Sequence, residues 1–237
     1  MEVRVSAGER SFRGELALPP GVGSFPGVIV IHEAFGLNDD IREKAHRFAS
    51  MGYVALAPDL LDGRGPKPIC IVRLLRELNR GGGQAFADLD ACSAYLAERP
   101  EVDPSRIGVA GFCMGGGFAL LYAARAPVGA AAVFYGAVPK DEQELEDVCP
   151  VVGGYGERDR TFARQGRRLV EVLERRGVPH DVAFYPDAGH SYMSEHGGVL
   201  AKVASWGPMT IGFNALAAED SWARIERFFG EHLGRSA

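Results

Sequence analysis

The chain predicts an α/β fold, a mostly parallel sheet of about eight strands with helices on both faces. Three observations point there. Short apolar runs alternate with longer segments at helical period, the pattern of strands joined by crossover helices. Two early runs, by contrast, follow each other closely enough to pair as an antiparallel edge hairpin. At 237 residues, 46% of them hydrophobic, the chain can also bury one large core, so 1–237 reads as a single domain.

The hairpin is expected from Val3–Val5 and Phe12–Leu18. The sheet strands are expected at Val28–Ile31, Tyr53–Ala57, Ile107–Ala110, Ala130–Tyr135, Val151–Tyr155 and Val182–Tyr185. Asn38-Asp39-Asp40 supplies a helix start, after which Ile41, Ala45, Phe48 and Ala49 share one face. Pro66, Pro68 and Gly81-Gly82-Gly83 bound another helical stretch. A helix opens at Thr161 and closes at Gly177, with Leu169, Val170 and Leu173 inward and a basic outer face. Near the end Trp222, Ile225, Phe229 and Leu233 form one stripe, so the last helix docks on the sheet. Segment 194–217 fits neither period and is a candidate lid-like excursion over the active face.

Composition excludes several function classes. A net charge of -5 offers no basic field for a phosphate backbone, so nucleic acid is not expected as a partner. Met1 to Glu15 holds no apolar h-region, and Gly197 to Ala218 is broken by Lys202, Pro208 and Asn214. Neither a secretory signal, a spanning helix nor a membrane partner is therefore expected, and a cytoplasmic location is. The four cysteines form no CxxC pair and no zinc-ligand spacing, so no metal and no disulfide framework is expected. Cys70, Cys92 and Cys149 read as small apolar filler. Oligomeric state is not legible.

Cys113 is different. It sits in Gly111-Phe112-Cys113-Met114-Gly115-Gly116, directly between the strand at Ile107–Ala110 and a helical run from Phe118 to Ala124. Glycines flanking a nucleophile are a steric statement: a sharp strand-to-helix elbow leaves no room there for side chains. The tip of such an elbow lies at a helix N-terminus, where free N–H groups and the macrodipole lower a thiol's pKa toward thiolate. No GxGxxG follows the first core strand, so a nucleotide-binding turn is not favoured.

An activated nucleophile needs a base and an acid to orient it, in the chain order nucleophile, acid, histidine for an α/β-hydrolase fold. His190, in Asp187-Ala188-Gly189-His190, is the histidine that follows the last strand in a glycine turn. Asp159 is favoured as the acid because the loop Gly156–Asp159 leaves the sheet's C-terminal edge, with Glu157 and Asp187 as competitors.

Four stretches carry a resemblance to a known family: Ile31-His32-Glu33-Ala34-Phe35-Gly36-Leu37-Asn38, the cysteine elbow, Gly156-Glu157-Arg158-Asp159 and Ala188-Gly189-His190-Ser191. Together they resemble the dienelactone hydrolase family over nearly the whole chain. The resemblance implies Cys113 as nucleophile, His190 as base, Asp159 as its orienting acid and Glu33 as a carboxylate engaging the resting thiol. The backbone N–H groups of Ala34 and Met114 would form the oxyanion hole. It implies a cofactor-free hydrolase of small esters or lactones acting through an acyl thioester.

Phe35, Tyr135 and Trp206 are candidate substrate contacts by position. The arginine that the archetypal lactone hydrolase carries shortly after the histidine is missing from His190-Ser191-Tyr192-Met193-Ser194. Arg73, Arg76 and Arg80 offer another anion contact, but their period also fits a solvated helix face, which is the favoured reading. Two other readings are a general carboxylesterase or thioesterase of the same fold, and a non-catalytic scaffold that binds ligand or senses oxidation at Cys113.

Overall fold

A computed structural model describes residues 1–195 and 210–234. Eight strands form one sheet: β1 (Glu2–Ala7), β2 (Arg10–Ala17), β3 (Phe25–Ile31), β4 (Val54–Pro58), β5 (Val102–Phe112), β6 (Ala131–Phe134), β7 (Val151–Gly156) and β8 (His180–Tyr185). Their order is β1-β2-β4-β3-β5-β6-β7-β8. The β1–β2 and β2–β4 pairs are antiparallel, and every later pair is parallel. The expected eight-stranded α/β-hydrolase sheet and its edge hairpin are therefore present.

Among the described residues the α-helices are α1 (Asp39–Ser50), α2 (Lys67–Asn79), α3 (Gln84–Ala97), α4 (Met114–Ala123), α5 (Arg160–Arg176) and α6 (Ala215–His232). Alternation within the strands divides the apolar residues between two cores. Ile29, Ile31, Val109 and Val133 face one layer with α2, α3, α4 and α5. Val28, Val30, Ala110 and Ala132 face the other with α1 and α6. There the predicted stripe on α6 docks as expected. Trp222 and Phe229 meet Phe48 of α1 at ring-centroid distances of 5.3 and 6.0 Å. Each buried aromatic there contributes roughly 1.5–3 kcal/mol by removal from water.

Several elements differ from expectation. α3 is an additional helix between Gly83 and β5; its inner face is Ala85, Phe86, Leu89, Cys92 and Leu96, too rich in small residues to stand out as a stripe. His180 begins β8 instead of preceding it, because Val151 of β7 pairs with it directly. α4 begins at Met114, four residues before the apolar run, since three glycines form its first turn. Among the described residues no helix is long and apolar enough to cross a membrane.

The strand order turns at β3, whose successor β4 lies on one side and β5 on the other. Ligand sites of open parallel sheets form at the carboxyl ends of strands around such a switch point. The register aligns those ends: Ile31 opposes Gly111, Phe112 opposes Phe134, and Gly156 opposes Tyr185.

Candidate active site

The elbow after β5 is built as the glycines required. Cys113 has φ 55° and ψ -118°, a conformation that costs a non-glycine residue about 1–3 kcal/mol. A Cβ on Gly111 would lie 2.0 Å from the Gly115 carbonyl oxygen, and one on Gly115 would lie 2.3 Å from that of Ile31. Only bare backbone lets α4 start this close to β3 and β5. The Cys113 N–H donates to the Phe134 carbonyl (3.1 Å), which anchors the turn to β6. The thiol itself is half-buried.

Two further loops are tied together before they reach the cysteine. After β7, the N–H groups of Glu157 and Arg158 donate to the carbonyls of Tyr185, at the end of β8, and Ala188, in the loop that follows it. Gly156 allows this approach, since a Cβ there would sit 2.4 Å from the Gly189 oxygen. Asp159 caps α5, its Oδ1 accepting from the Phe162 N–H at 3.2 Å. Its Oδ2 lies 2.7 Å from His190 Nδ1, and His190 Nε2 lies 3.1 Å from Cys113 Sγ. The competitors are engaged elsewhere: Glu157 pairs with Arg167 and Asp187 with Arg158, on the surface.

Asp159 and His190 are both almost fully enclosed. Burial alone would push the imidazole's pKa down. The hydrogen bonds and charges of Asp159 and Cys113 outweigh it and push His190 up to about 10. The arrangement thus holds a proton on the histidine between a carboxylate and a sulfur. Burial raises the thiols of Cys92 and Cys149, the latter to about 12, in keeping with inert filler. The rings of Phe162 and Tyr135 fix the imidazole plane, with centroids 4.7 and 5.3 Å from it.

Glu33 is buried at the end of β3. Its Oε1 accepts from Ser194 Oγ at 2.9 Å. Ser194 Oγ in turn lies 3.1 Å from Lys44 Nζ and 3.4 Å from Tyr135 Oη. Ala34 follows Glu33, and Met114 opens α4, so both backbone N–H groups lie at the same sheet edge. Phe35 is 49% exposed, whereas Tyr135 is fully enclosed at φ 42°. Trp206 and the rest of 196–209, most of the candidate excursion, lie outside the described residues.

Sequence reasoning missed four neighbours. Phe162 carries no signal beyond its place three residues after Asp159. Lys44 had one, since it falls on the inward face of α1 between Ile41 and Phe48, where a solvated lysine has no business. Ser194 lies in an aperiodic segment. His32 is fully buried, its Nδ1–H donating to the Glu33 carbonyl (2.5 Å) and its Nε2 accepting from the Leu60 N–H (3.1 Å).

Comparison with known proteins follows the same lines. The family model described as the dienelactone hydrolase family matches residues 12–233. A Synechocystis sp. protein named carboxymethylenebutenolidase is 30% identical, the match covering 93% of this chain and 92% of that one. One of the same name from Methylorubrum extorquens is 29% identical over 98% and 80%. Among solved structures, a dienelactone hydrolase-like promiscuous phosphotriesterase from metagenomic libraries superimposes with a TM-score of 0.81 at 26% identity, covering 98% and 97% of the two chains.

Proposed function

We propose that this chain, which belongs to the dienelactone hydrolase family, hydrolyses small ester or lactone substrates through a Cys113–His190–Asp159 triad and an acyl-thioenzyme. The observation that carries this reading is the unbroken run from Asp159 Oδ2 through the imidazole to Cys113 Sγ, with steps of 2.7 and 3.1 Å. It takes 1–237 as one catalytic domain, since the sheet and the matched region span nearly all of it.

In this mechanism the sulfur attacks the substrate carbonyl from the elbow. The oxyanion that forms is received by the backbone N–H groups of Ala34 and Met114, donors already in place before the charge develops. His190 gives its proton to the departing alkoxide oxygen, leaving an S-acyl thioester on Cys113. The now neutral imidazole takes a proton from water, the hydroxide attacks the thioester, and Cys113 leaves as thiolate beside the reprotonated His190. Asp159 stays ionised throughout and stabilises the imidazolium. Glu33 is the carboxylate assigned to engage Cys113 at rest, and Phe35 offers the exposed aromatic surface for the acyl or leaving group. Tyr135 acts from behind the histidine.

The test is nitrophenol release from short-chain p-nitrophenyl esters, with a dienelactone run in parallel. Wild-type turnover that Cys113→Ala abolishes, together with mass-spectrometric capture of an acyl group on the Cys113 peptide, is the expected result. Full activity in Cys113→Ala would overturn the triad. A folded wild type inert to both substrate types would favour the ligand-binding scaffold.

A further inference from the structure

α5 reaches toward the site with every third residue from its cap onward. Asp159 caps the helix and holds His190 Nδ1, and the Phe162 ring lies against the imidazole. Gln165 and Arg168 continue the row, each a surface neighbour of the one before it. The triad does not use these two. Their side chains hold the loop after β6 instead.

The Val138 N–H donates to Gln165 Oε1 at 2.9 Å. Arg168 then gathers three successive carbonyls with one guanidinium. Its Nη2 donates to Val138 at 2.8 Å and to Pro139 at 2.5 Å, and its Nη1 donates to Lys140 at 3.2 Å. A planar fork of fixed donors suits such a cluster of acceptors in a way that a point ammonium does not. Tyr155 of β7 adds a further tie, its Oη donating to the Gly136 carbonyl at 3.2 Å. On its other side the loop rests on the first turn of α4, since a Cβ on Gly136 would lie 2.5 Å from the Gly116 carbonyl carbon. The loop is therefore gripped between α5 and the helix that Cys113 opens.

Tyr135 stands where this loop begins. Its φ of 42° lies in the left-handed region, which a bulky side chain enters only where its surroundings over-determine it. The Tyr135 N–H donates to the Gly154 carbonyl at 2.9 Å, so the sheet holds the chain on one side of the strained residue. The ties from Gly136 to Lys140 hold it on the other. In this conformation the buried ring stands edge-on to the His190 ring, 5.3 Å between centroids, and is backed by the Tyr192 ring at the same distance.

We propose that Gln165 and Arg168 are positioning residues for His190: by clamping the loop after β6, they keep Tyr135 in its strained conformation and its ring against the imidazole. α5 thereby fixes the base three times, through the Asp159 carboxylate, the Phe162 ring and the clamped Tyr135. For its effect on turnover the proposal rests on the hydrolase reading above. A base that passes one proton between leaving group, water and sulfur depends on a fixed ring plane, and a small misplacement from a remote substitution can cost about 10²-fold.

The experiment compares wild type, Gln165→Met and Gln165→Met/Arg168→Met, with Gln165→Glu as the variant that keeps the acceptor oxygen. Two quantities are read: kcat and KM on a p-nitrophenyl ester, and the NMR cross-relaxation between the Tyr135 and His190 ring protons. The double variant should lose most of the cross-relaxation and lower kcat by about 10–10²-fold, with KM changed by less than about twofold. Gln165→Met should move both in the same direction by less, and it reports on the clamp even if the double variant fails to fold. Gln165→Glu should keep most of both.

Cross-relaxation left intact in the folded variants would overturn the clamp, and any loss of activity would then be a packing effect. Cross-relaxation lost with kcat unchanged would overturn it as well, since His190 would not need the brace. Because the ring contact is read without turnover, it tests the clamp even if Cys113→Ala proves fully active and the triad fails.

Discussion

Asp159 uses both of its carboxylate oxygens on different tasks: Oδ2 holds His190 at 2.7 Å while Oδ1 caps α5 through the Phe162 N–H. A single residue therefore fixes the base and the helix that carries Phe162 onto the base's ring. The two tasks separate on substitution. Asparagine caps a helix as well as aspartate does, but it cannot stabilise an imidazolium. Asp159→Asn is expected to lower kcat/KM by about 10²–10⁴-fold and to lose the stability that the His190 proton lends, while keeping the cap. Asp159→Ala should lose the cap as well, by about 1 kcal/mol in denaturant unfolding. Equal destabilisation by the two variants would refute the division of labour.

His190 should keep its proton through neutral pH. The two partners that raise it to about 10 are Asp159 and Cys113, and each acts against burial. Imidazole NMR should show a titration midpoint far above 6.5, falling in Asp159→Asn and again in Cys113→Ala. The sign for stability follows. A histidine whose folded-state pKa is raised lends stability that is complete below the unfolded value near 6.5 and is lost as pH rises through about 10. Unfolding free energy should thus fall from pH 7 to 10 more steeply in wild type than in His190→Gln. Parallel curves would show that the proton is not held there.

The elbow glycines should be intolerant in proportion to what surrounds them. Gly111→Ala places a Cβ 2.0 Å from a backbone oxygen that no rotamer change can relieve. Loss of more than about 4 kcal/mol, or failure to fold, is expected. Gly177 has φ +67° at the end of α5 but open space around it. There Gly177→Ala should cost only about 1 kcal/mol. Denaturant midpoints of the two variants side by side check the contrast.

The legible part of this molecule was the part that backbone sterics and strand order dictate. Gly111 and Gly115 announced the elbow because close backbone approach forbids any other residue, and His190 stood out because it alone followed the last strand in a glycine turn. Asp159 could be favoured over Glu157 and Asp187 from loop position, but only coordinates show the others occupied by Arg167 and Arg158. Lys44, Ser194 and His32 escaped because their roles arise between elements far apart in the chain, 150 residues apart for Lys44 and Ser194. Helical or strand period carries no record of such meetings. α3 escaped for a different reason: alanine and cysteine bury well on its inner face without marking a stripe.

His32 supplies the last prediction. It ties the loop after β3 to the loop after β4, donating from Nδ1 to the Glu33 carbonyl and accepting from Leu60 at Nε2. Because Nε2 must accept, the ring has to remain neutral. Burial pushes its pKa down, against smaller opposing contributions from the Glu33 carbonyl and the Asp59 charge. A histidine lowered in this way contributes stability that is present above about 6.5 and is lost as pH falls through its folded value. Its effect thus has the opposite sign to that of His190. His32→Ala leaves the buried Leu60 N–H without an acceptor, worth about 1–3 kcal/mol, and frees the peptide that presents Ala34. His32→Gln can restore an acceptor and a donor on one side chain. We expect His32→Ala to unfold at lower denaturant and to lose kcat more than it raises KM, since an oxyanion donor acts in the transition state. His32→Gln should recover part of both and should flatten the acid side of the stability profile. A His32→Ala enzyme with unchanged kcat would mean that the Ala34 N–H is held by the rest of β3 alone.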